Sequence, residues 1–397
     1  MTIAAWILAA LMIVAVIAVI IVLALLTRYF QQRRQRAAAH NDALLTPEVP
    51  RDDFRGPRPW IIMNPSKHED VQAFKAHVES AAAAAGVMHL QWMETTPEDP
   101  GTGQAIEAVV SGASVVIAAG GDGTVRAVAA GMAHTGVRMG IIPVGTGNLL
   151  ARNLGLPIDD LESAVKVALG ADHRLVDLGW LSVQDIEEPS ELPAEGALAL
   201  KAWKSHPDAA PTPLPSDDEY AYVVISGMGF DGETMVSTDS ELKKKIGWAA
   251  YVIAGVSALT VDKLQASLTT IDTNGESTQV DMEAKSIMFA NCGELPYLVL
   301  APEATVDDGM MDVIAVDTHA GLVGWADLGL KIVNQGLGLP SLNLPSTGEI
   351  AFTQARDAAL TVDKASAVQV DGDAIGTARS IRTRMDVGAL DISVTEI

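Results

Sequence analysis

Three short turns, each following an apolar run, contain residue types that suit the binding of phosphate. They are Asn64-Pro65, GGDGT (120–124) and PVGTGN (143–148). Glycine lets backbone N–H groups approach a phosphate closely, and the amino end of a helix adds free N–H groups and a partial positive charge. Each turn alone is consistent with a tight structural turn. Three such turns at the carboxyl ends of parallel strands favour a phosphate-binding site.

Asp122 places a carboxylate in the middle of GGDGT, where a negative charge would repel phosphate. The stretch matches neither GxxxxGK[ST] nor GxGxxG, because Arg126 stands where the latter has its third glycine. A purely local role for Asp122, capping the helix that begins near Thr124, is the alternative to a functional one.

The elements that must position these turns alternate between apolar runs and helical patterns. From residue 58 the order is WIIM (60–63), a helix through AFKAHVESAAAAA, VMHLQWME (87–94), a helix near 103–110, VVIAA (115–119), a helix from Thr124, MGIIPV (139–144), and helices at 148–155 and 161–170. This order predicts an α/β domain (58–175) with a parallel sheet covered on both faces. After about Asp172 strand-like runs separated by turns predict a β-rich, antiparallel, sandwich-like second domain (176–397), whose C-terminal tail is a candidate to return to the first.

Two segments lack the pattern of a folded core. Residues 28–57 have no sustained apolar periodicity and predict a linker. Residues 185–219 are acidic and rich in proline, which predicts a mobile loop within the second domain.

The amino-terminal segment predicts one transmembrane helix. Ile7–Leu26 is an unbroken apolar run of a length that spans a bilayer, and we place the anchor at 4–27. The arginines, beginning with Arg28, follow the run rather than precede it, which argues against a cleaved signal peptide. The positive-inside rule therefore predicts that Arg28 and everything after it lie in the cytoplasm.

The composition excludes several classes of function. The chain has 397 residues, with 50 acidic and 27 basic side chains and a net charge of −23, which disfavours nucleic acid as a partner. Cys292 is the single cysteine, so neither an intramolecular disulfide nor a zinc site built from several cysteines is possible.

Seven segments in order resemble the family of bacterial soluble-type diacylglycerol kinases and sphingosine kinases, which phosphorylate lipids. They are NP (64–65), GGDGT with its downstream glycine (120–131), PVGTGNLLARNLGLP (143–157), GMGFDGE (227–233), LKKKIGWAAYVIAG (242–255), APEATVDDGMMDV (301–313) and VDGD (370–373). The resemblance covers roughly residues 58–397 without 185–219. NAD kinases and phosphofructokinases share GGDG but lack the PxGTxN and DDGxxD segments.

The resemblance implies that ATP is held by the three turns and by a threonine after the second strand. The residues carried over are Asn64, Pro65, Thr96 with Thr95 as its alternative, Gly120, Gly121, Asp122, Gly123, Thr124, Gly145, Thr146 and Asn148. It also implies Mg²⁺ at Asp122, directly or through water, which explains a carboxylate beside phosphate because the metal bridges the two.

Further metal ligands are implied outside the three turns. Asp231 in GFDG matches a family aspartate of the Mg²⁺ or substrate network, and Asp177 matches another. The segment 305–310 resembles a structural Mg²⁺ loop that uses the Asp308 carboxylate and carbonyl groups near Thr305 and Met310. Ordinary turn chemistry is the alternative for each.

The general base is assigned by the resemblance to one of two aspartates. The family places a glutamate in a late DGE, and Asp373 in Asp371-Gly372-Asp373 stands at that position with a side chain one methylene shorter. In sphingosine-kinase-like members the GGDG aspartate takes this role, which here is Asp122. A DG hairpin turn is the structural alternative for Asp373.

The expected protein is a single-pass protein of the inner or plasma membrane that transfers the γ-phosphoryl group of ATP to a lipid hydroxyl. Diacylglycerol is the first candidate acceptor, and a long-chain base or another lipid alcohol is the next. Leu149 follows Asn148 where diacylglycerol-type members often have aspartate, which keeps the other acceptors open. The competing class is a catalytically silent lipid- or nucleotide-binding membrane protein. A homodimer is left open.

Overall fold

The computed structural model describes residues 59–189, 192–230, 263–295, 298–299, 304–318 and 348–395. Within these ranges the helices are α1 (Val71–Ala84), α2 (Thr102–Val110), α3 (Asp122–Met132), α4 (Leu149–Asn153), α5 (Leu161–Leu169) and α6 (Glu195–Trp203), with 3₁₀ turns at Pro65–Lys67 and Pro207–Ala209. The strands are β1 (Trp60–Met63), β2 (Gln91–Glu94), β3 (Val115–Gly120), β4 (Arg138–Pro143), β5 (His173–Pro189), β6 (Glu219–Tyr222), β7 (Ile225–Phe230), β8 (Leu264–Ile271), β9 (Ser277–Ala284), β10 (Ser286–Ala290), β11 (Glu294–Leu295), β12 (Leu298–Val299), β13 (Met311–Thr318), β14 (Gly348–Ala355), β15 (Asp357–Val370) and β16 (Asp373–Ser393).

The first four strands form the parallel sheet that the alternating pattern predicts. Their spatial order is β2, β1, β3, β4, and every pair in it is parallel. The order of the strands reverses between β1 and β3, so this is the switch point at which open α/β sheets bind ligands, outside the carboxyl ends of the strands. Asn64 follows β1 and Gly121 follows β3, so both turns begin at the switch point.

Both faces of the parallel sheet are buried, because alternate residues of each strand point to opposite sides. Ile61 and Ile117 belong to the apolar cluster formed with α1 and α5. Ile62 and Val116 belong to the cluster on the other face, which includes residues of α2 and α3. Continuous apolar runs such as WIIM therefore identify strands that are covered on both sides.

The second half of the described chain is an antiparallel region joined to the parallel sheet by hydrogen bonds. Fourteen of the described strands belong to one sheet, in which β16 connects the two regions. Strand β16 pairs with β15 and β5 in antiparallel fashion, and its carboxyl end runs parallel to β4, where Ile392 pairs with Met139. A mixed sheet with an α/β part and a β-rich part is thus present, but the β-rich part is not a separately hydrogen-bonded sandwich.

The acidic, proline-rich stretch 185–219 differs from the irregular loop that its composition predicts. Strand β5 extends into it as far as Pro189, and helix α6 follows. Ala199 and Trp203 of α6 are buried against Ile106 of α2. Tertiary packing stabilises this helix, which explains why a compositional argument misses it.

Several sequence predictions fall outside the described residues. These are the anchor at 4–27, the linker at 28–57, Asp231, and the motif LKKKIGWAAYVIAG at 242–255. Among the residues that the structure does describe, no helix is both long and apolar enough to cross a bilayer. Contacts group residues 56–397 into one unit, and β5 crosses the boundary predicted at 175–176, so the division into two domains stays a prediction.

Candidate functional site

The two glycine-rich turns that follow β3 and β4 pack directly against each other. A Cβ on Gly145 would stand 2.6 Å from the Cα of Gly121, and one on Gly121 would stand 3.4 Å from the Cα of Gly145. The backbone N–H of Val144 donates to the carbonyl oxygen of Gly120 at 3.1 Å. Only glycine permits this approach, so GGDGT and PVGTGN form one continuous backbone surface at the carboxyl edge of the sheet.

Asp122 connects the two turns through its side chain. Its Oδ1 accepts a hydrogen bond from the backbone N–H of Leu149 at 2.6 Å, and its Oδ2 accepts one from Asn148 at 3.1 Å. Burial raises the pKa of Asp122, although these backbone hydrogen bonds oppose the rise. Among the described residues no cation forms an ion pair with it. The carboxylate therefore caps α4, rather than α3, whose first residue it is.

Asn148 fixes the shape of the second turn. Its backbone has a left-handed conformation with φ of 49°, which asparagine tolerates better than most residues. Its side-chain oxygen accepts from the N–H of Gly145 at 2.9 Å, and its amide nitrogen donates to the Gly145 carbonyl at 2.7 Å. Both polar ends of the side chain are thus engaged, which indicates that Asn148 shapes the turn and leaves ligand contacts to the backbone.

The Asn64-Pro65 turn lies at the end of β1, where the Asn64 N–H donates to the carbonyl oxygen of Ala119 at 3.2 Å. The Asn64 side chain accepts from the N–H of Ser66 at 3.0 Å and caps the 3₁₀ turn. This turn brings Lys67 to the glycine turns, with its Cε 3.9 Å from the position that a Cβ would take on Gly121. A basic side chain therefore lies beside the glycine turns, which the Asn64-Pro65 motif alone does not predict.

The two candidate threonines after β2 differ in their surroundings. Thr95 is buried, and its N–H donates to the carbonyl of Met63 at 2.9 Å, which extends the pairing with β1. Thr96 is exposed, and its hydroxyl oxygen accepts from the N–H of Asp99 at 3.1 Å. The choice between them as a nucleotide contact stays a prediction.

Asp373 begins β16 and reaches the first glycine turn from the far end of the chain. Its Oδ2 lies 3.3 Å from the position that a Cβ would take on Gly123. The same oxygen accepts a hydrogen bond from Nη1 of Arg126 at 2.9 Å, and the side chain remains 46% exposed. The structure therefore brings Asp122 and Asp373, the two candidate bases, to the same turn.

Arg126 is buried behind Asp373. Besides Asp373 it bonds to the Oε1 of Glu195 through Nε at 2.9 Å and to the Val370 carbonyl at 3.0 Å. Burial alone would lower the pKa of Arg126, but the carboxylates of Glu195 and Asp373 hold it above its usual range. The guanidinium is therefore a permanent positive charge next to Asp373.

Asp371, two residues before Asp373, binds backbone N–H groups through its carboxylate. Its Oδ1 accepts from the N–H groups of Val224 and Ile225, and its Oδ2 accepts from Val223, all within 2.9–3.0 Å. Burial raises the pKa of this carboxyl to about 6, against the opposing effects of Arg126 and the three backbone hydrogen bonds. Asp371 thereby fixes the turn that presents Asp373.

In the predicted metal loop at 305–310, the described contacts reach Asp177 and Val387 and not the glycine turns. Asp308 accepts a hydrogen bond from the N–H of Met310 at 2.9 Å, as in an ordinary turn, and both Thr305 and Asp308 are solvent-exposed. The neighbouring Gly309 packs against Val387, near the carboxyl end of the strand that Asp373 begins. The described residues contain no group of three or more His, Cys, Asp or Glu side chains able to hold a metal ion.

Asp177 connects this loop to β16. Its two carboxylate oxygens accept from the N–H groups of Gly309 at 2.7 Å and Gly388 at 2.6 Å, and burial raises its pKa. Asp177 thus bridges two backbone segments, and neither of these hydrogen bonds reaches the glycine turns.

Comparison with known protein families matches the part of the chain that contains these turns. The family model described as diacylglycerol kinase catalytic domain matches residues 58–181, which contain all three turns. A Xanthomonas oryzae protein named "Probable lipid kinase YegS-like" is 31% identical over 57% of this chain and 63% of its own length. Residues 58–181 are thus similar to the catalytic domain of diacylglycerol kinases, and a longer part of the chain is similar to a probable lipid kinase. The match to the family model contains the turns after β1, β3 and β4 but not Asp373, which lies beyond residue 181.

Two further similarities show how much of this chain and of each similar protein is covered. An uncharacterized Synechocystis protein is 27% identical over 67% of this chain and 52% of its own length, so this chain spans about half to two thirds of these two relatives. A crystal structure of a diacylglycerol kinase from Bacillus anthracis has a TM-score of 0.60 at 18% identity, covering 86% of this chain and 98% of that one. This structural likeness shows the lipid kinase fold.

Three residues of the site were missed by the sequence reasoning: Lys67, Arg126 and Glu195. Lys67 carried a weak signal, as a basic residue two positions after Asn64-Pro65. In the sequence, Arg126 stands out only because it occupies the place of the third glycine of GxGxxG. Glu195 lies in the stretch predicted to be a loop and had no local signal, because its partner is 69 positions away.

Proposed function

We propose that this chain is an ATP-dependent lipid kinase that phosphorylates a lipid hydroxyl, with diacylglycerol as the first candidate acceptor. The observation that carries the proposal is the meeting of Asp373 with the turn that contains Asp122 and Gly123. The turn suits phosphate, and the exposed carboxylate beside it suits the proton of an acceptor hydroxyl. One site would then contain both halves of a phosphoryl transfer.

ATP phosphates would bind to the N–H groups of the two glycine turns. The first of these turns leads into α3, whose amino end carries free N–H groups and a partial positive charge. The exposed ammonium group of Lys67 lies beside Gly121 and would pair with a phosphate oxygen. Asn64, Gly145, Thr146 and Asn148 would maintain the shape of the surface on which the nucleotide lies.

The residues present fit Mg²⁺ at Asp122. This ion is usually bound by one or two carboxylates together with substrate phosphates and water, and each Asp122 oxygen accepts only one of the hydrogen bonds described above. Burial raises its pKa and the nearby carboxylate of Asp373 adds to the rise, and a bound cation would oppose both effects. When bound, Mg²⁺ would neutralise charge that develops on the transferred phosphoryl group.

Asp373 would act as the general base. The lipid hydroxyl oxygen forms a bond to the γ-phosphorus while the bond from that phosphorus to the β,γ-bridging oxygen breaks and ADP leaves. The hydroxyl proton passes to a carboxylate oxygen of Asp373. Arg126 occupies only Oδ2 in the described hydrogen bonds, so Oδ1 is available for the acceptor. Asp122 is the alternative base, but both of its oxygens accept backbone hydrogen bonds.

More than one class of lipid could supply the acceptor hydroxyl at this site. A long-chain base or another lipid alcohol would present the same hydroxyl to Asp373, and Leu149 stands where a supporting aspartate would favour the diacylglycerol-type arrangement. The sequence-predicted anchor at 4–27 would hold the protein at the cytoplasmic face of the membrane and so raise its effective concentration near a lipid substrate.

The test uses the purified full chain with Mg²⁺, labelled ATP and mixed micelles of diacylglycerol, sphingosine or ceramide. Transfer of label to diacylglycerol is the expected result, and transfer only to another lipid would replace the acceptor but retain the kinase. ATP binding without transfer to any lipid, including a total membrane lipid extract, would contradict the proposal and favour the silent binding protein.

A further inference from the structure

The described part of the chain contains a buried charge network that links the acidic segment to the candidate base. Glu195, at the start of α6, is 2% exposed, and its Oε1 bonds to Nε of Arg126. Arg126 in turn donates from Nη1 to both Asp373 and the Val370 carbonyl. The guanidinium therefore has one side directed to α6 and the other to the turn that begins β16.

Glu195 is itself fixed by the core. Its Oε2 accepts a hydrogen bond from the N–H of Ala221 at 3.2 Å, so both carboxylate oxygens are engaged. The next residue, Gly196, lies against the carbonyl oxygen of Ser216 with no room for a side chain. Helix α6 is therefore seated so that Glu195 cannot withdraw from Arg126 without moving the helix.

We propose that Glu195 and Arg126 are positioning residues for Asp373, and that helix α6 of the acidic segment is in this way a part of the catalytic apparatus. Neither residue would contact the substrates. Glu195 would hold Nε of Arg126, and this would direct Nη1 to Oδ2 of Asp373, leaving Oδ1 turned to the acceptor. The inference rests on the proposed function, because it assigns a supporting role for the same base.

The geometry favours positioning over simple stabilisation. A buried arginine needs a negatively charged partner to neutralise its charge, and Glu195 alone would supply such a partner. Arg126 instead distributes its donors between a buried carboxylate and Asp373, which is 46% exposed and faces Gly123. The contact with Asp373 helps to neutralise the guanidinium, but it also fixes one oxygen of an exposed carboxylate beside Gly123, which neutralisation alone does not require.

The experiment compares Glu195→Gln, Arg126→Gln and the double variant in the full chain, assayed with Mg²⁺, ATP and diacylglycerol micelles. Each single variant leaves one buried charge without its partner, so both kcat and thermal stability should fall. In the double variant neither charge remains, so stability should recover toward that of the parent. If the pair positions Asp373, kcat should stay at least about tenfold below the parent while KM for ATP changes less than about twofold.

Glu187→Gln is the matched control, because Glu187 belongs to the same acidic segment but forms an exposed ion pair with Arg379. It should retain parental kcat. Recovery of kcat together with stability in the double variant would show a structural role and overturn the inference, as would parental kcat in Glu195→Gln. If a single variant fails to fold, the kcat and thermal stability of the double variant still distinguish a positioning role from a structural one. A parent that phosphorylates no lipid contradicts the proposed function itself, and the inference falls with it.

Discussion

Asp373 stands beside Gly123, with its Oδ2 3.3 Å from the position of a Cβ on that glycine. The two residues are 250 positions apart in the sequence and meet because β16 returns to the parallel sheet, where its first residue contacts Arg126 of α3. The glycine turn after β3 and a carboxylate from the antiparallel region are thereby brought together.

The first prediction follows from this position. Asp373→Asn should lower kcat by roughly 10²–10⁴-fold, because the amide cannot accept the acceptor's proton, while the affinity for ATP stays nearly unchanged. Asp373→Glu should retain activity, since it keeps the carboxylate. Steady-state kinetics together with ATP titration check both. Asp363→Asn, in an exposed carboxylate of β15, is the control, and a parental rate in Asp373→Asn would transfer the base role to Asp122.

The second prediction concerns Asp122. Asp122→Asn should lower turnover on the order of 10²-fold and raise the Mg²⁺ concentration needed for half-maximal rate, because the charge that would hold the metal is lost. It should also destabilise the protein, by about 1 kcal/mol or more, since the asparagine NH₂ group would face the N–H of Asn148 or Leu149. Magnesium titration and thermal unfolding separate the two effects. An unchanged magnesium requirement would restrict Asp122 to capping α4.

The third prediction is a pH dependence of stability at Asp371. Burial raises its pKa from an ordinary 3.8 to about 6, so the folded protein binds this proton more tightly than the unfolded chain. The resulting stabilisation is fully present below about pH 4 and is lost as the pH rises to about 6, by up to ~3 kcal/mol. Asp371→Asn cannot titrate, so the stability of the parent relative to this variant should decrease between pH 4 and 6.5.

Denaturant unfolding of both proteins at several pH values measures this difference. The variant keeps an oxygen for Val224 and Ile225 but loses the acceptor for Val223, which gives a constant offset at all pH values. A constant difference across the whole range would show that Asp371 titrates normally in the folded protein.

The sequence predicts the parallel sheet well because its strands are buried on both faces. The run WIIM coincides with β1, and VVIAA lies within β3, since a strand covered on both sides needs an unbroken apolar run. The turns at their ends follow from the strand positions. The motifs, taken in their order along the chain, then predict the candidate site residues after β1, β3 and β4.

The rest of the site depends on tertiary contacts that no local pattern contains. Helix α6 has an acidic first residue and a proline-rich neighbourhood, and it is stabilised by burial of Trp203 and by Glu195 on Arg126. The sequence predicts a metal ligand at Asp122 but contains no signal for its hydrogen bonds to Leu149 and Asn148. Those contacts depend on how closely the two glycine turns approach each other.

The fourth prediction tests Lys67 as a phosphate ligand. Its Cε lies 3.9 Å from the Cβ position of Gly121, and the side chain is exposed and forms no ion pair with the described residues. Lys67→Met should weaken ATP binding about tenfold, equivalent to ~1.4 kcal/mol, with a smaller effect on AMP, which lacks the β- and γ-phosphates. The loss should shrink at high salt, because an exposed charge is screened.

Lys75→Met provides the matched control for this experiment. Lys75 is on α1, pairs with Glu94 at 3.0 Å and lies over the ring of Trp92, so its ammonium group is already engaged. Its removal should leave ATP binding within about twofold of the parent. Equal losses in the two variants would indicate a general effect of surface charge, whereas a loss confined to Lys67→Met would place this ammonium group at the phosphates, because only Lys67 lies beside Gly121.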